Sequence, residues 1–480
     1  MTKIQQFIIL LGLLSFFKPS LTANLHASDK NRPNIILILT DQQNANMLSY
    51  VGNPYVSTPN LDNLAQSGIL FEQTFASNPV CAPSRFSLMT GLMPSQINGE
   101  DNGSVMRKKV PSDILNNSLG ILFRNEGYET VYGGKVHLPG GQEGKANDVT
   151  KYGFRKLTND SRDKLPGVCA EFLKQKHEKP FFLVASFINP HDICYKVIND
   201  WRKSLNEDPK GGVAWKTLQQ ALKLPEGVSE EHFFEKICPP LPDNFNISDD
   251  EFLEAAGPTK PFTIFGRENW TEKDWRLYRW AYKNLTELVD QKIGTLLQAL
   301  YESDYDENTI VVFTSDHGEM DASHRLEHKS VFYNESVKIP LIIRWKGEIE
   351  PGLVDKNNLV INGLDLLPTL CDLAGIKIPK NTPGVSLKKV ITGSKKKLNR
   401  DYIVGEALWA RMVYDGEWKY MIAGNSEQHE MLFNLKNDPG EMCNLALEKE
   451  YKEQLERCRK LLIKWYKQNN ISLNKAYVYK

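Results

Sequence analysis

The chain alternates between short unbroken apolar runs and longer stretches with helical spacing. In "RPNIILILTDQQ" the run Ile35 to Leu39 lacks the polar-apolar alternation of a half-exposed strand, so it predicts a strand buried on both faces. "STPNLDNLAQSG" then predicts a helix, with Thr58 as N-cap, Pro59 as first helical residue and Gly68 as the stop. The alternation recurs. "SLGILFRNEG" is a helix closed by Gly127, "YETVYGG" a strand, Phe181 to Phe187 a buried strand, and "WRLYRWAYKNLTELVDQKIGTLLQALYES" a helix of many turns. Ile310 to Thr314 and "KIPLIIRW" supply further strands, and "GLDLLPTLCDLAG" a helix stopped by Gly375. Such a pattern predicts an α/β fold with a mostly parallel central sheet and helices on both faces.

Two departures from the pattern divide the chain. Between about Tyr195 and Trp275 it breaks into Pro-, Asp- and aromatic-rich text such as "CPPLPDNFNISDD", too long for an ordinary connection and expected to be a functional excursion over the site. Trp201, Trp215, Trp270 and Trp275 either stack on sugar rings there or pack in the interior. After the solvated lysine run "GSKKKLNRD" comes a hairpin, "ARMVYDGEWKYMI", with Asp415-Gly416 at its turn, and "EMLFNLKNDPGEMCNLA" adds a strand and a turn. A charged amphipathic helix, "EKEYKEQLERCRKLLIKWYKQ", follows. The expected organisation is therefore a catalytic unit over 29–392 and a smaller C-terminal α+β subdomain with an antiparallel sheet over 393–480.

At the N-terminus the apolar stretch Phe7 to Phe17 is shorter than a bilayer span of roughly 20 residues. With small residues at Ala23 and Ala27, it predicts a signal peptide over 1–23, cleaved as late as 27, and a periplasmic or secreted protein with no membrane span after cleavage. Lys plus Arg and Asp plus Glu are 59 each, so no global basic field recruits nucleic acid. Seven scattered cysteines, without CxxC or a Cys/His cluster, argue against zinc and against a dense disulfide framework. One of the seven is odd.

The candidate chemistry gathers at strand ends. Asp41, Lys135, His137, His191, Asp316 and His317 each follow a predicted strand directly, and open α/β sheets bind ligands outside the carboxyl ends of their strands. Cys81, in "NPVCAPSRFSLMTG", precedes Pro83 and Arg85 at the start of a helix, where backbone N–H groups and the positive end of the dipole favour an anion. A thiolate nucleophile and a buried structural cysteine are both open readings. Asp41 and Asp316 are hard oxygen ligands suited to Ca²⁺ or Mg²⁺, a poor match for soft sulfur, so the working atom at position 81 is expected to be oxygen.

The stretch Cys81-Ala82-Pro83-Ser84-Arg85 resembles the signature of the formylglycine-dependent sulfatases, relatives of alkaline phosphatase. "GGKVH", "NPHD", "TSDHGE", "HKSVFYNESVKIPLIIRWKG" and "LFNLKNDPGEMCNLA", in this order, extend the resemblance over nearly the whole chain after the leader. The resemblance implies an alkaline-phosphatase-like fold. It also implies that a maturation enzyme, the formylglycine-generating partner, oxidises Cys81 to an aldehyde, whose hydrate attacks sulfur and forms a sulfo-enzyme intermediate. Asp41, Gln42, Asp316 and His317 match the family's metal ligands together with residue 81, for Ca²⁺ with Mg²⁺ as the alternative. Gln42 stands where many members have a second Asp, and the lost charge implies weaker metal binding. Arg85 and Lys135 match groups that neutralise sulfate and the diol, and Lys329, in "K-x-x-x-Y-x-E", the lysine on sulfate and leaving oxygen. His191 matches the general acid and His137 the base. Asp192 either orients His191, contacts substrate or faces solvent, and His324 and His328 take no catalytic role. The expected substrate is a sulfated carbohydrate. A phosphonate or phosphodiester hydrolase of the same superfamily and a glycan-binding pseudoenzyme are the alternatives.

Overall fold

The structure is a computed structural model that describes residues 32–140, 147–247, 251, 260–424 and 429–479. The expected leader, 1–23, lies outside the described residues. The first ten strands in chain order are β1 (Asn34–Asp41), β2 (Ile69–Phe71), β3 (Thr74–Phe75), β4 (Glu129–Gly134), β5 (Arg155–Thr158), β6 (Phe181–Pro190), β7 (Thr309–Ser315), β8 (Leu341–Trp345), β9 (Leu353–Asp355) and β10 (Val360–Ile361). Eight of them form one mixed, mostly parallel sheet in the order β5-β4-β6-β1-β7-β8-β2-β9, and β3 pairs with β10 apart from it.

The apolar run read from the sequence is the centre of this sheet. Strand β1 is buried at every position and lies between β6 and β7, with Ile35 opposite Phe182 on one side and Ile310 on the other, both parallel. Because side chains alternate along a strand, its residues feed two cores. Ile35, Leu37 and Leu39 pack with Phe123, Leu366 and Leu370 on one face. Ile36 and Ile38 pack with Leu61, Phe172, Ile293 and Leu297 on the other. Truncating such a residue to Ala costs about 2–5 kcal/mol, so neither face tolerates a polar substitution.

Strand β8 departs from the expected parallel order by running antiparallel to β7 and β2. A parallel β8 would need a crossover back to the amino end of β7. Running backwards, it leaves the connection 316–340 at the carboxyl end of β7, where the candidate residues gather. The aromatic excursion is also more regular than its composition implies, with helices over Tyr195–Ser204, Val213–Ala221 and Pro261–Asn269. Each spans three turns or fewer, too few for the helical period to stand out between Pro- and Asp-rich connections. Trp275 is fully buried and meets Trp270 edge-on at 4.8 Å, so these two tryptophans pack in the interior.

Beyond residue 393, β11 (Ile403–Glu406), β12 (Ala410–Tyr414), β13 (Trp418–Ala423) and β14 (Glu430–Asn434) form an antiparallel sheet in sequence order. Gly416, with φ 97°, makes the β12–β13 turn that the Asp-Gly pair announced. The helix Lys452–Gln468 covers this sheet with Leu455, Leu462 and Trp465. The same core takes in Met320, Leu326, Val331 and Phe332, so the C-terminal sheet is fastened to the 316–340 connection. Among the described residues no helix is long and apolar enough to cross a membrane. All seven cysteines are free thiols, and only that of Cys443 is exposed.

Candidate active site

Cys81 is the first residue of the helix Cys81–Thr90, which ends at Gly91 in the left-handed region with φ 68°. Every residue of this helix is buried, so Cys81 and, one turn later, Arg85 are presented from the interior of the molecule rather than from a loop. Strand β1 delivers Asp41 to the same spot and β7 delivers Asp316 and His317, all fully buried. One ligand atom from each of Asp41, Cys81, Asp316 and His317 lies within 4.8 Å of the others. The Cys81 Sγ is 3.1 Å from His317 Nε2 and 3.7 Å from Asp41 Oδ1.

The donor set suits a divalent cation. Asp41 is divided between two tasks: its Oδ2 accepts from Arg85 at 3.0 Å and from Lys135, while among the described residues its Oδ1 takes a hydrogen bond only from the Cys81 thiol. The Nδ1 of His317 lies 2.8 Å from the Gly318 carbonyl, which requires the proton there and turns Nε2 into the cluster. Asp316 Oδ2 accepts from Arg85 Nε at 2.7 Å, and its Oδ1 takes the backbone N–H groups of Gln42 and His317. Two carboxylate oxygens and one imidazole nitrogen thus converge on the side chain of residue 81.

Cations surround this group. Arg85 also donates to Ser186 Oγ at 2.7 Å and to the Lys135 carbonyl at 3.0 Å, which ties the helix to the end of β6 and to the chain leaving β4. Burial opposes ionisation of the Cys81 thiol, but Lys135, Lys329, His317 and a hydrogen bond from His137 outweigh it and hold the thiol well below its ordinary range. An anion at position 81 is therefore stabilised. Burial opposes charge on Lys329 as well, yet Cys194, Cys81, Asp41 and Asp316 keep it firmly protonated. His191, partly exposed, places Nε2 4.0 Å from Asp41 Oδ1, and burial together with Lys329 lowers its pKa.

The candidate residues therefore come together: Asp41, Cys81, Arg85, Lys135, His191, Asp316, His317 and Lys329 form one cluster, and His137 is close enough to help lower the pKa of residue 81. The Gln42 side chain has other partners than Asp41 and Asp316. Its Oε1 accepts from Lys329, and its Nε2 donates to Glu319. Asp192 is buried and pairs with Arg162, which rules out the solvent-facing option. Sequence reasoning passed over Ser186, Arg162, Cys194 and Glu319. Glu319, inside "TSDHGE", and Ser186, inside the strand Phe181 to Phe187, lay in stretches already singled out.

The sulfatase family model matches residues 33–376, and a model for the C-terminal part of N-sulphoglucosamine sulphohydrolase matches 322–468. The chain belongs to the sulfatase family. It is 31% identical over 464 residues to a Δ4,5-hexuronate-2-O-sulfatase of Bacteroides thetaiotaomicron, covering 91% of this chain and 89% of that one. The solved structure of a 2-O GAG sulfatase matches with a TM-score of 0.72 at 28% identity, over 92% of this chain and 93% of that one. The phosphonate monoester hydrolase of Agrobacterium radiobacter matches with a TM-score of 0.71, over 93% and 97% of the two chains. At 22% identity that match speaks to fold alone. The chain is thus a sulfatase, a hydrolase of sulfate esters, and its buried Asp/Cys/Asp/His group is a fitting metal site at the sulfatase centre.

Proposed function

We propose that this sulfatase is exported, that Cys81 is matured to formylglycine, and that the substrate is a sulfated carbohydrate. A sugar carrying a 2-O-sulfated hexuronate is the first candidate. The observation that carries the reading is the convergence of Asp41, Asp316 and His317 on residue 81 inside a ring of cations. The relatives named as hexuronate and GAG 2-O-sulfatases support the substrate class. The predicted leader supports export to the periplasm or beyond.

Asp41, Asp316 and His317, with residue 81, would hold the cation, with Ca²⁺ preferred for its hard oxygen donors. When present, the cation supplies Lewis acidity and the formylglycine hydrate supplies the attacking oxygen. The rest is work for the chain's own side chains. Arg85 fixes both carboxylates through Asp41 Oδ2 and Asp316 Oδ2, so they need no rearrangement during reaction. Lys135 and Lys329 neutralise the sulfate oxygens. His191, at the open side of the site, protonates the leaving alcohol. His137, near residue 81, withdraws a proton from that side chain as sulfate departs.

The test is sulfate release by matured protein from a panel of defined sulfated saccharides, with NMR identification of the freed hydroxyl. Release from the 2-position of a hexuronate is expected. Cleavage of an aryl sulfate with no release from any saccharide would remove the carbohydrate reading, and faster cleavage of the matching aryl phosphodiester would favour the diesterase alternative. Peptide mass analysis of the active protein should show formylglycine at position 81.

A further inference from the structure

Gln42 lies between two groups of opposite hydrogen-bonding character. Glu319 is fully buried and, as a carboxylate, can only accept; the Lys329 ammonium can only donate. The Gln42 amide answers both, with Nε2 donating to Glu319 Oε2 and Oε1 accepting from Lys329 Nζ. The Cys194 Sγ touches both ends, at 3.1 Å and 3.2 Å, and so does not choose between the two amide orientations. Glu319 chooses. Were the amide reversed, a donor would face the ammonium and an acceptor the carboxylate.

The other oxygen of Glu319 has a separate duty. Glu319 Oε1 accepts from Tyr278 Oη at 2.7 Å, from the His328 N–H at 2.7 Å and from the Asp321 N–H at 3.3 Å, and so pins the loop that carries Lys329 to the long helix Glu272–Tyr301. That loop needs pinning: Asp321, Ala322, His324, Arg325, His328 and Ser330 all have positive φ, a conformation that costs non-glycine residues about 1–2 kcal/mol each. One carboxylate thus divides its oxygens between the loop and the Gln42 amide.

We propose that Gln42 and Glu319 are positioning residues that aim Lys329 at the substrate sulfate, with Glu319 setting which end of the Gln42 amide meets the ammonium. Anchored on Gln42 Oε1 by one of its three N–H bonds, Lys329 keeps two for the sulfate. This inference rests on the reading of Lys329 as a sulfate-binding lysine. It gives Gln42 a task other than that of metal ligand.

The two oxygens of Glu319 make the inference testable apart from folding. In Glu319→Gln the amide oxygen can take the Oε1 place and keep all three loop bonds, while its NH₂ faces Gln42 and reverses that amide against Lys329. In Gln42→Glu two carboxylates face each other. In the double variant the amide of residue 319 donates to the carboxylate of residue 42, which again accepts from Lys329. With matured, Ca²⁺-loaded full chain, each single variant should lose roughly 10- to 100-fold in kcat/KM and bind inorganic sulfate, as a competitive inhibitor, at least about 10-fold more weakly. The double variant should recover most of both. Calorimetric Ca²⁺ affinity should be unchanged in Glu319→Gln.

Wild-type sulfate inhibition in Glu319→Gln, or a double variant no better than the worse single, would overturn the relay. A Ca²⁺ affinity that rises in Gln42→Glu, with kcat/KM no lower than wild type, would return Gln42 to the metal and overturn it too. Lys329→Ala separates the levels. If it leaves sulfate inhibition untouched, the underlying reading of Lys329 falls and the relay with it. If it abolishes inhibition while Glu319→Gln does not alter it, only the relay falls.

Discussion

Two groups of buried charge in this sulfatase are built from similar side chains and differ in how completely they are closed. Where the C-terminal sheet meets the 316–340 connection, Lys419 Nζ spends all three N–H bonds inside the protein, on the Phe332 carbonyl at 2.8 Å, Asn334 Oδ1 at 2.9 Å and Glu441 Oε1 at 2.7 Å. The second Glu441 oxygen takes the Asn334 N–H at 2.6 Å. At the carboxyl ends of β1 and β7, by contrast, Asp41 Oδ1 and His317 Nε2 point into a shared space and have only a thiol as hydrogen-bond partner among the described residues. The first group holds a segment in place. The second is held open by its surroundings, with Arg85 anchoring the carboxylates from behind, and its remaining bonding capacity is what a cation and a sulfate would use.

The comparison breaks most readily at residue 81. Cys81→Ala should reduce turnover by at least about 10³-fold, as loss of a nucleophile does, while urea unfolding stays close to that of wild type. Turnover well above background in this variant would put the nucleophile elsewhere. Lys419→Met should show the reverse imbalance, losing about 3–5 kcal/mol by urea titration because it strands the buried Glu441. A loss below about 1 kcal/mol would mean that the junction is not closed as described.

A cation sharpens the contrast by stabilising only the open group. Ca²⁺ at about 100 times its dissociation constant should add about 2.7 kcal/mol to unfolding stability, and Asp41→Asn should abolish most of that increment. An equal increment in Asp41→Asn would place the ion elsewhere.

The smallest effect concerns pH at the closed side. His324 is buried and stacked on Tyr333 at 3.8 Å, and burial, reinforced by Arg267 and Lys419, lowers its pKa from 6.5 to about 4. The unfolded chain therefore binds this proton first on acidification. His324 contributes stability that is present in full above pH 6.5 and is lost as pH falls through about 4, with a slope approaching about 1.4 kcal/mol per pH unit between them. The slope of urea-derived stability over this window should flatten by that amount in His324→Phe. An unchanged slope would assign the acid sensitivity to other groups.

How much of this was legible beforehand follows from the range of each signal. Asp41, His191 and Asp316 were read correctly as strand-end residues because a buried strand announces itself within a few residues and the chain must emerge at its carboxyl end. Cys81 was placed at a helix start by Pro83 and Gly91, and that is where it sits. The helices between Tyr195 and Asn269 were hidden because each is short, and Glu319 drew no attention because an acidic residue in a loop is ordinarily solvated.

Local chemistry along the chain was enough to specify the strands, the helix caps, the CxPSR helix and, through ordered motifs, the sulfatase family. Tertiary structure alone decided the reversal of β8, the pairing of Arg85 with Ser186 and of Lys419 with Glu441, and the insertion of Gln42 between Lys329 and Glu319. The reason is physical. Periodicity and capping act over a few residues, whereas a buried polar group is satisfied by whichever partner the folded chain brings to it, which for Gln42 is Lys329, 287 positions away.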